Sequence, residues 1–162
     1  MKPLCLLALF LIACTGDPSK LTVTSTAFNE GEAIPVKYTC KGENVSPEIS
    51  VEGIPENAKS LALIMDDPDA PGGDFVHWVM WNIPVDKTIA ENTAPGVQGM
   101  NGRGDNKYTG PCPPSGTHHY HFKLYALDGV LELPESTDKQ GLIKAMEGHI
   151  LASGELIGTF KK

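Results

Sequence analysis

Positive charge is scarce in this chain. Its 162 residues carry 13 Lys and Arg against 20 Asp and Glu, a formal net charge of −7. Nothing in that balance can neutralise a phosphate backbone, so nucleic acid is excluded as a partner. Long apolar stretches are also wanting. The run Leu4 to Ala13 falls far below the roughly 20 residues that a membrane-spanning helix needs. No G-x-S-x-G elbow and no H-E-x-x-H pair occur, so the commonest serine-hydrolase and zinc-protease signatures are missing. There is no internal repeat, low-complexity tract or dividing linker, and the length suits one domain rather than two.

What is present is ordinary globular composition, with 41% hydrophobic and 20% charged residues. Seventeen Gly and thirteen Pro predict many short strands joined by shaped loops. Met1-Lys2-Pro3 followed by the Leu4 to Ala13 run reads as a signal peptide over 1–13. It ends in Leu11-Ile12-Ala13-Cys14, which resembles the lipobox of bacterial lipoproteins. That resemblance implies cleavage before Cys14, lipidation of its sulfur and a polar tether over 14–20. Acyl chains at that position would hold the protein on a membrane. The expectation is an exported lipoprotein facing the periplasm or the cell surface, with a domain over 21–162. The plainer alternative is an ordinary signal peptide with a fortuitous cysteine. After processing, Cys40 and Cys112 remain as an even pair, a candidate disulfide in an oxidising compartment. Two buried free thiols are the alternative.

Alternation marks strands at Leu21–Thr24, Val36–Cys40 and Ile49–Val51. Leu61–Met65 is apolar on both parities, as a strand buried between two layers requires. Phe75–Ile83 reads the same way, with Phe75, His77, Val79, Trp81 and Ile83 on one parity. A strand from about His118 to Ala126 places His118, Tyr120, Phe122 and Leu124 on a core face. His119, His121 and Lys123 fall on a solvated one. One helix is predicted near the end. Thr137 and Gln140 have capping-box spacing, Leu142 to Leu151 carries helical periodicity, and Gly154 is the stop. A last strand spans Leu156–Phe160. The sum is a mostly β sandwich with short peripheral helices.

Two segments concentrate polar groups against apolar strands: Asp66-Asp67-Pro68-Asp69-Ala70-Pro71 before His77-Trp78, and Tyr108 to Phe122. Carboxylates at the end of a buried strand are costly unless solvated or paired. Taken singly, Asp67 is also readable as a turn residue and His77 as a hydrogen-bonded core histidine. Together, DPDAP, HW and YxGPCPPxGxHxYxF are similar to the phosphatidylethanolamine-binding protein family, in its bacterial and archaeal branch. Tyr38-Thr39-Cys40, Asn44-Val45-Ser46-Pro47 and Tyr125-Ala126-Leu127-Asp128 support the likeness from Leu21 to Phe160. The resemblance implies an antiparallel Greek-key sandwich with a small anion-binding pocket at one end. Its residues would be Asp67, Asp69, His77, Gly110, Pro113, His118 and Tyr120. The chain departs from the family's common Asp-Phe after Asn101, where it carries Gly102-Arg103-Gly104, which leaves the pocket rim open.

The expected function is binding of a small anion or phospholipid head group, without catalysis and without a cofactor or metal. Two inward histidines can donate to a phosphate, and a Gly/Pro loop can present backbone N–H groups. The family name also implies, for some members, docking on a serine protease or kinase. An Asp/His hydrolase would lack its nucleophile, since Ser115 reads as a turn residue. His119 and His121 supply two metal ligands and no third. Arg103-Gly104-Asp105 spells an adhesion tripeptide, to which the sequence assigns no role.

Overall fold

The computed structural model describes residues 19–162. The expected signal segment, Cys14 and the tether as far as residue 18 lie outside the described residues. Ten elements follow in order: β1 (Ser19–Lys20), β2 (Thr22–Thr24), β3 (Ile49–Glu52), β4 (Ser60–Asp67), β5 (Phe75–Ile83), β6 (Thr88–Ile89), β7 (Val97–Gln98), β8 (Thr117–Leu127), α1 (Lys139–Met146) and β9 (Ile150–Lys161). They form a six-stranded sheet, β1-β9-β8-β4-β5-β7, facing a three-stranded sheet, β2-β3-β6. Every pairing is antiparallel except β1 beside β9. This is the mostly β sandwich that the sequence predicts.

Two cores explain why β4 is buried along its whole length. Leu61, Leu63 and Met65 face Val23, Ile49, Val51, Phe122 and Leu124 between the sheets. Ala62 and Ile64 point the other way, against Val79, Trp81, Leu142 and Met146 under α1. A strand covered on both faces needs apolar residues on both parities, and the sequence shows that pattern there. β8 alternates buried and wetted residues from His118 to Tyr125, as its parity predicts.

Three expectations are corrected. Val36–Tyr38 is a 3₁₀ turn behind Pro35, not a strand. Its apolar–polar alternation comes from a turn that buries Tyr38, whose hydroxyl donates to Glu91 at 2.7 Å. Helix α1 is capped by Asp138, whose carboxylate accepts from the Gly141 N–H at 2.9 Å, rather than by Thr137. It also stops early. The backbone leaves the helix at Glu147, with ψ 123°, and turns through Gly148 at φ +79°, so Ile150 and Leu151 open β9 instead of closing α1.

Candidate functional site

The site forms where β4, β5 and β8 end together. Pairing between β4 and β5 runs Met65–Trp78 and then Asp66–Val76. β4 advances by one residue there and β5 by two, so His77 is the extra residue of a β-bulge. A bulge turns two successive side chains to the same face. Trp78 joins the core between the sheets, and the His77 ring lies 5.2 Å from that of Tyr120 on the same side. Val76, the next residue back, packs on the α1 side. A second shift, from Leu61–Ile83 to Leu63–Met80, brings Ile83 back between the sheets, with Asn82 at φ 53°. The single parity expected from Phe75 to Ile83 is therefore broken twice. Phe75 and His77 face the site, whereas Val79 and Trp81 face α1.

The acidic pair at the end of β4 splits in the same manner. Asp66 points toward α1, where Lys123 and Lys139 donate to it at 2.8 and 2.6 Å. Burial works against the charge of Lys139, but Asp66 and Asp74 outweigh it and raise its pKa. Asp67 points into the site. One of its oxygens meets Nδ1 of His118 at 2.7 Å, and the other accepts the Asp69 N–H at 2.9 Å. Both carboxylate oxygens are thus committed to the protein. His77 is fixed similarly, with Nδ1 2.6 Å from the Thr109 carbonyl. A carbonyl only accepts, so that nitrogen carries the proton. Burial pushes the His77 pKa below its usual value, against the Thr109 carbonyl and Asp67, which raise it. Among the described residues, Nε2 of neither ring has a hydrogen-bond partner.

These rings line a cavity of about 170 Å³ together with Asp67, Ala70, Pro71, Phe75, Arg103, Cys112, Pro113 and Pro114. Of the residues expected from the sequence, Asp67, His77, Pro113 and His118 come together on its wall. Tyr120 lies beneath them, fully buried. Among the described residues its hydroxyl has no hydrogen-bond partner. Burial raises its pKa strongly.

Two expected residues sit outside the cavity. Asp69 turns to the surface, where it accepts from the N–H and Nδ1 of His119 at 2.9 and 2.7 Å. Those bonds hold its carboxyl below the usual range. The Gly110 N–H, expected to face a ligand, donates to the Asn44 side chain at 2.8 Å. The loop is instead tied by a Cys40–Cys112 disulfide, the pairing that the even cysteine count suggests.

Arg103 is the residue that sequence reasoning missed. Its signal was the departure after Asn101, in the tripeptide given no role. A larger hollow of about 740 Å³ runs past Lys20, Glu30, Lys123 and Glu155, but it is open and its charges are of both signs. Among the described residues, no group of three or more His, Cys, Asp or Glu is placed to hold a metal ion. His119 and His121 pair separately with Asp69 and Glu155.

The model of the phosphatidylethanolamine-binding protein family matches residues 24–161. A UPF0098 protein of Methanothermobacter thermautotrophicus is 49% identical over 88% of this chain and 99% of its own length. Another, from Pyrococcus abyssi, is 45% identical over 100% of this chain and 98% of its own. Among solved structures, a putative phosphatidylethanolamine-binding protein homologue of Chlamydia trachomatis superposes with a TM-score of 0.86 at 43% identity, covering 89% of this chain and 99% of that one. YbcL of E. coli, described as a member of the mammalian family, gives 0.82 at 29% identity over the same shares. This chain belongs to the phosphatidylethanolamine-binding protein family.

Proposed function

We propose that this protein binds a small phosphate-like anion, free or as the head group of a larger molecule, and does not transform it. The observation that carries this reading is the pair of histidines whose Nδ1 atoms are held by Thr109 and Asp67, leaving both Nε2 atoms to a cavity of about 170 Å³. As imidazolium, each ring offers the cavity an N–H. Arg103 adds a positive charge at the rim, and the Asp67 carboxylate is occupied within the protein. The cavity offers no free nucleophile of its own in Cys112, which is bonded to Cys40.

The test is titration calorimetry on the full chain with inorganic phosphate and phosphoethanolamine. His118→Ala should abolish binding, and His119→Ala, on the opposite face of β8, should leave it within about twofold. Equal affinity in His118→Ala and wild type would remove the basis for the site.

We also propose that the protein is exported and held on a membrane through Cys14. The disulfide fits an oxidising compartment. β1 joins the sheet beside Ala152 and Ser153, whereas His118 pairs with Phe160, eight residues farther along β9. At roughly 3.3 Å per residue, the cavity lies about 26 Å from the end where the N-terminal segment enters. A ligand in solution suits that placement better than a head group of the anchoring bilayer. Detergent partitioning of the expressed protein should be lost in Cys14→Ser, and a fully soluble, unacylated wild type would defeat the anchor.

A further inference from the structure

The loop that carries Arg103 is built around Asn101. Asn101 is buried, and its side-chain oxygen accepts from the N–H groups of Arg103 and Asp105 at 2.9 and 3.1 Å. Its amide donates to the Lys107 carbonyl and the Thr109 hydroxyl at 2.9 and 3.1 Å. The Gly102 N–H reaches the Val76 carbonyl at 2.8 Å, and a Cβ on Gly102 would lie 2.9 Å from the Phe75 ring. The loop is therefore pressed on the cavity wall, with Arg103 directed over it by a fixed backbone. No carboxylate among the described residues forms an ion pair with Arg103, although its charge is close enough to disfavour protonation of His77. A guanidinium in that setting is a ready bidentate partner for two oxygens of one phosphate.

The rings set a second condition. Each neutral imidazole has one proton, and both are committed at Nδ1. Toward the cavity the neutral rings show only lone pairs. An anion without a proton must meet imidazolium, yet His77 is buried beside Arg103. The other charged or titratable groups around the two rings are Asp66, Asp67 and Asp69 at the end of β4 and Tyr120 on β8. A phosphate with a P–OH brings the missing proton itself and donates it to Nε2.

We propose that this cavity selects inorganic phosphate and phosphomonoesters over sulfate and phosphodiesters, with Arg103 on two oxygens and one proton shared between a third oxygen and an imidazole Nε2. This rests on the anion reading above and names its ligand class. One proton lies between nitrogen and oxygen in the complex whichever atom formally holds it, so nothing is gained or lost beyond the ligand's own ionisation. Phosphomonoesters lose their second proton near pH 6, about where the exchange is needed. Sulfate and diesters have none to share near neutral pH.

At pH 8 inorganic phosphate and sulfate have the same charge and nearly the same size, and differ by the P–OH. Calorimetry on the full chain at that pH should show phosphate at least about tenfold tighter than sulfate, the scale of one hydrogen bond to a charged group. Glycerophosphoethanolamine, a diester, should bind as weakly as sulfate. Phosphoethanolamine and a short-chain, water-soluble phosphatidic acid should both bind more weakly at pH 8 than at pH 6, and whichever is tighter identifies a free or a lipid source. Arg103→Gln should weaken phosphate about tenfold or more with an unchanged thermal midpoint. Sulfate as tight as phosphate would overturn the shared proton, and wild-type affinity in Arg103→Gln would overturn the clamp. If no anion binds the wild type at all, the anion reading itself falls.

Discussion

Asp67 and His118 meet at 2.7 Å with both side chains almost wholly buried, 4% and 8% exposed. The neighbouring pair of the same chemistry, Asp69 and His119, has the same separation but is 42% and 53% exposed. Burial, not distance, separates their energetics. Removing Asp67 strands a buried imidazole N–H and the Asp69 N–H, whereas water replaces what Asp69 loses. Asp67→Ala is expected to cost about 2–3 kcal/mol in denaturant unfolding. Asp69→Ala should cost less than about 1 kcal/mol. Equal costs would mean that the buried pair contributes no more than the exposed one.

The disulfide ties residues 72 apart in sequence. In the chain-entropy model a closure of that length stabilises by about 4 kcal/mol. Because Cys112 also lines the cavity, reduction should weaken phosphate binding before it unfolds the domain. Calorimetry and denaturation with and without dithiothreitol check both effects. Unchanged affinity in the reduced, folded protein would show that the loop holds its shape without the bridge.

Gly110 is packed against the Tyr38–Thr39 backbone with no room for a side chain. A Cβ there would overlap the Tyr38 carbonyl oxygen, a backbone atom that cannot step aside. Gly110→Ala is expected to destabilise by about 1–3 kcal/mol through overpacking. Gly129→Ala, with open space around it, serves as the control. A neutral Gly110→Ala would show that this loop yields.

Much of this architecture was legible in the residues. β4, β5 and β8 announce themselves through apolar runs and alternation, and DPDAP with GPCPP marks where the site must lie. The misses share a cause, which is that periodicity describes one element at a time. Ile150 and Leu151 continue a helical spacing, but Ile150 pairs with Leu127 of β8 and Leu151 sits in the register shift beside it, so both belong to a strand. The bulge at His77 exists only in its register with β4. Arg103 reaches the cavity because a buried Asn101 and a bare Gly102 shape its loop against β5, and no local pattern encodes that contact. Asp69 and Gly110 belong to the motifs, but their polar groups are satisfied by His119 and Asn44.

The last prediction concerns pH. In the unfolded chain His77 titrates near the ordinary value of about 6.5. In the fold, burial lowers its pKa more than the Thr109 carbonyl and Asp67 raise it. Between that lowered value and about pH 6.5, the unfolded state binds more protons than the native state. The unfolding free energy then rises with pH, so this part of stability is lost as pH falls through the window. Asp69, whose pKa is also lowered, loses its contribution only as pH falls below the ordinary carboxylate value of about 3.9. The two effects therefore separate. The thermal midpoint of the ligand-free protein should fall from pH 7 to pH 5. His77→Gln keeps an amide donor for Thr109 but has no proton to take up, so its decline should be shallower. Saturating phosphate should offset the wild-type loss, since the complex holds a proton between a phosphate oxygen and an imidazole Nε2, and should do less in His77→Gln. If ligand-free His77→Gln and wild type decline in parallel, the buried ring is not the source of the pH dependence.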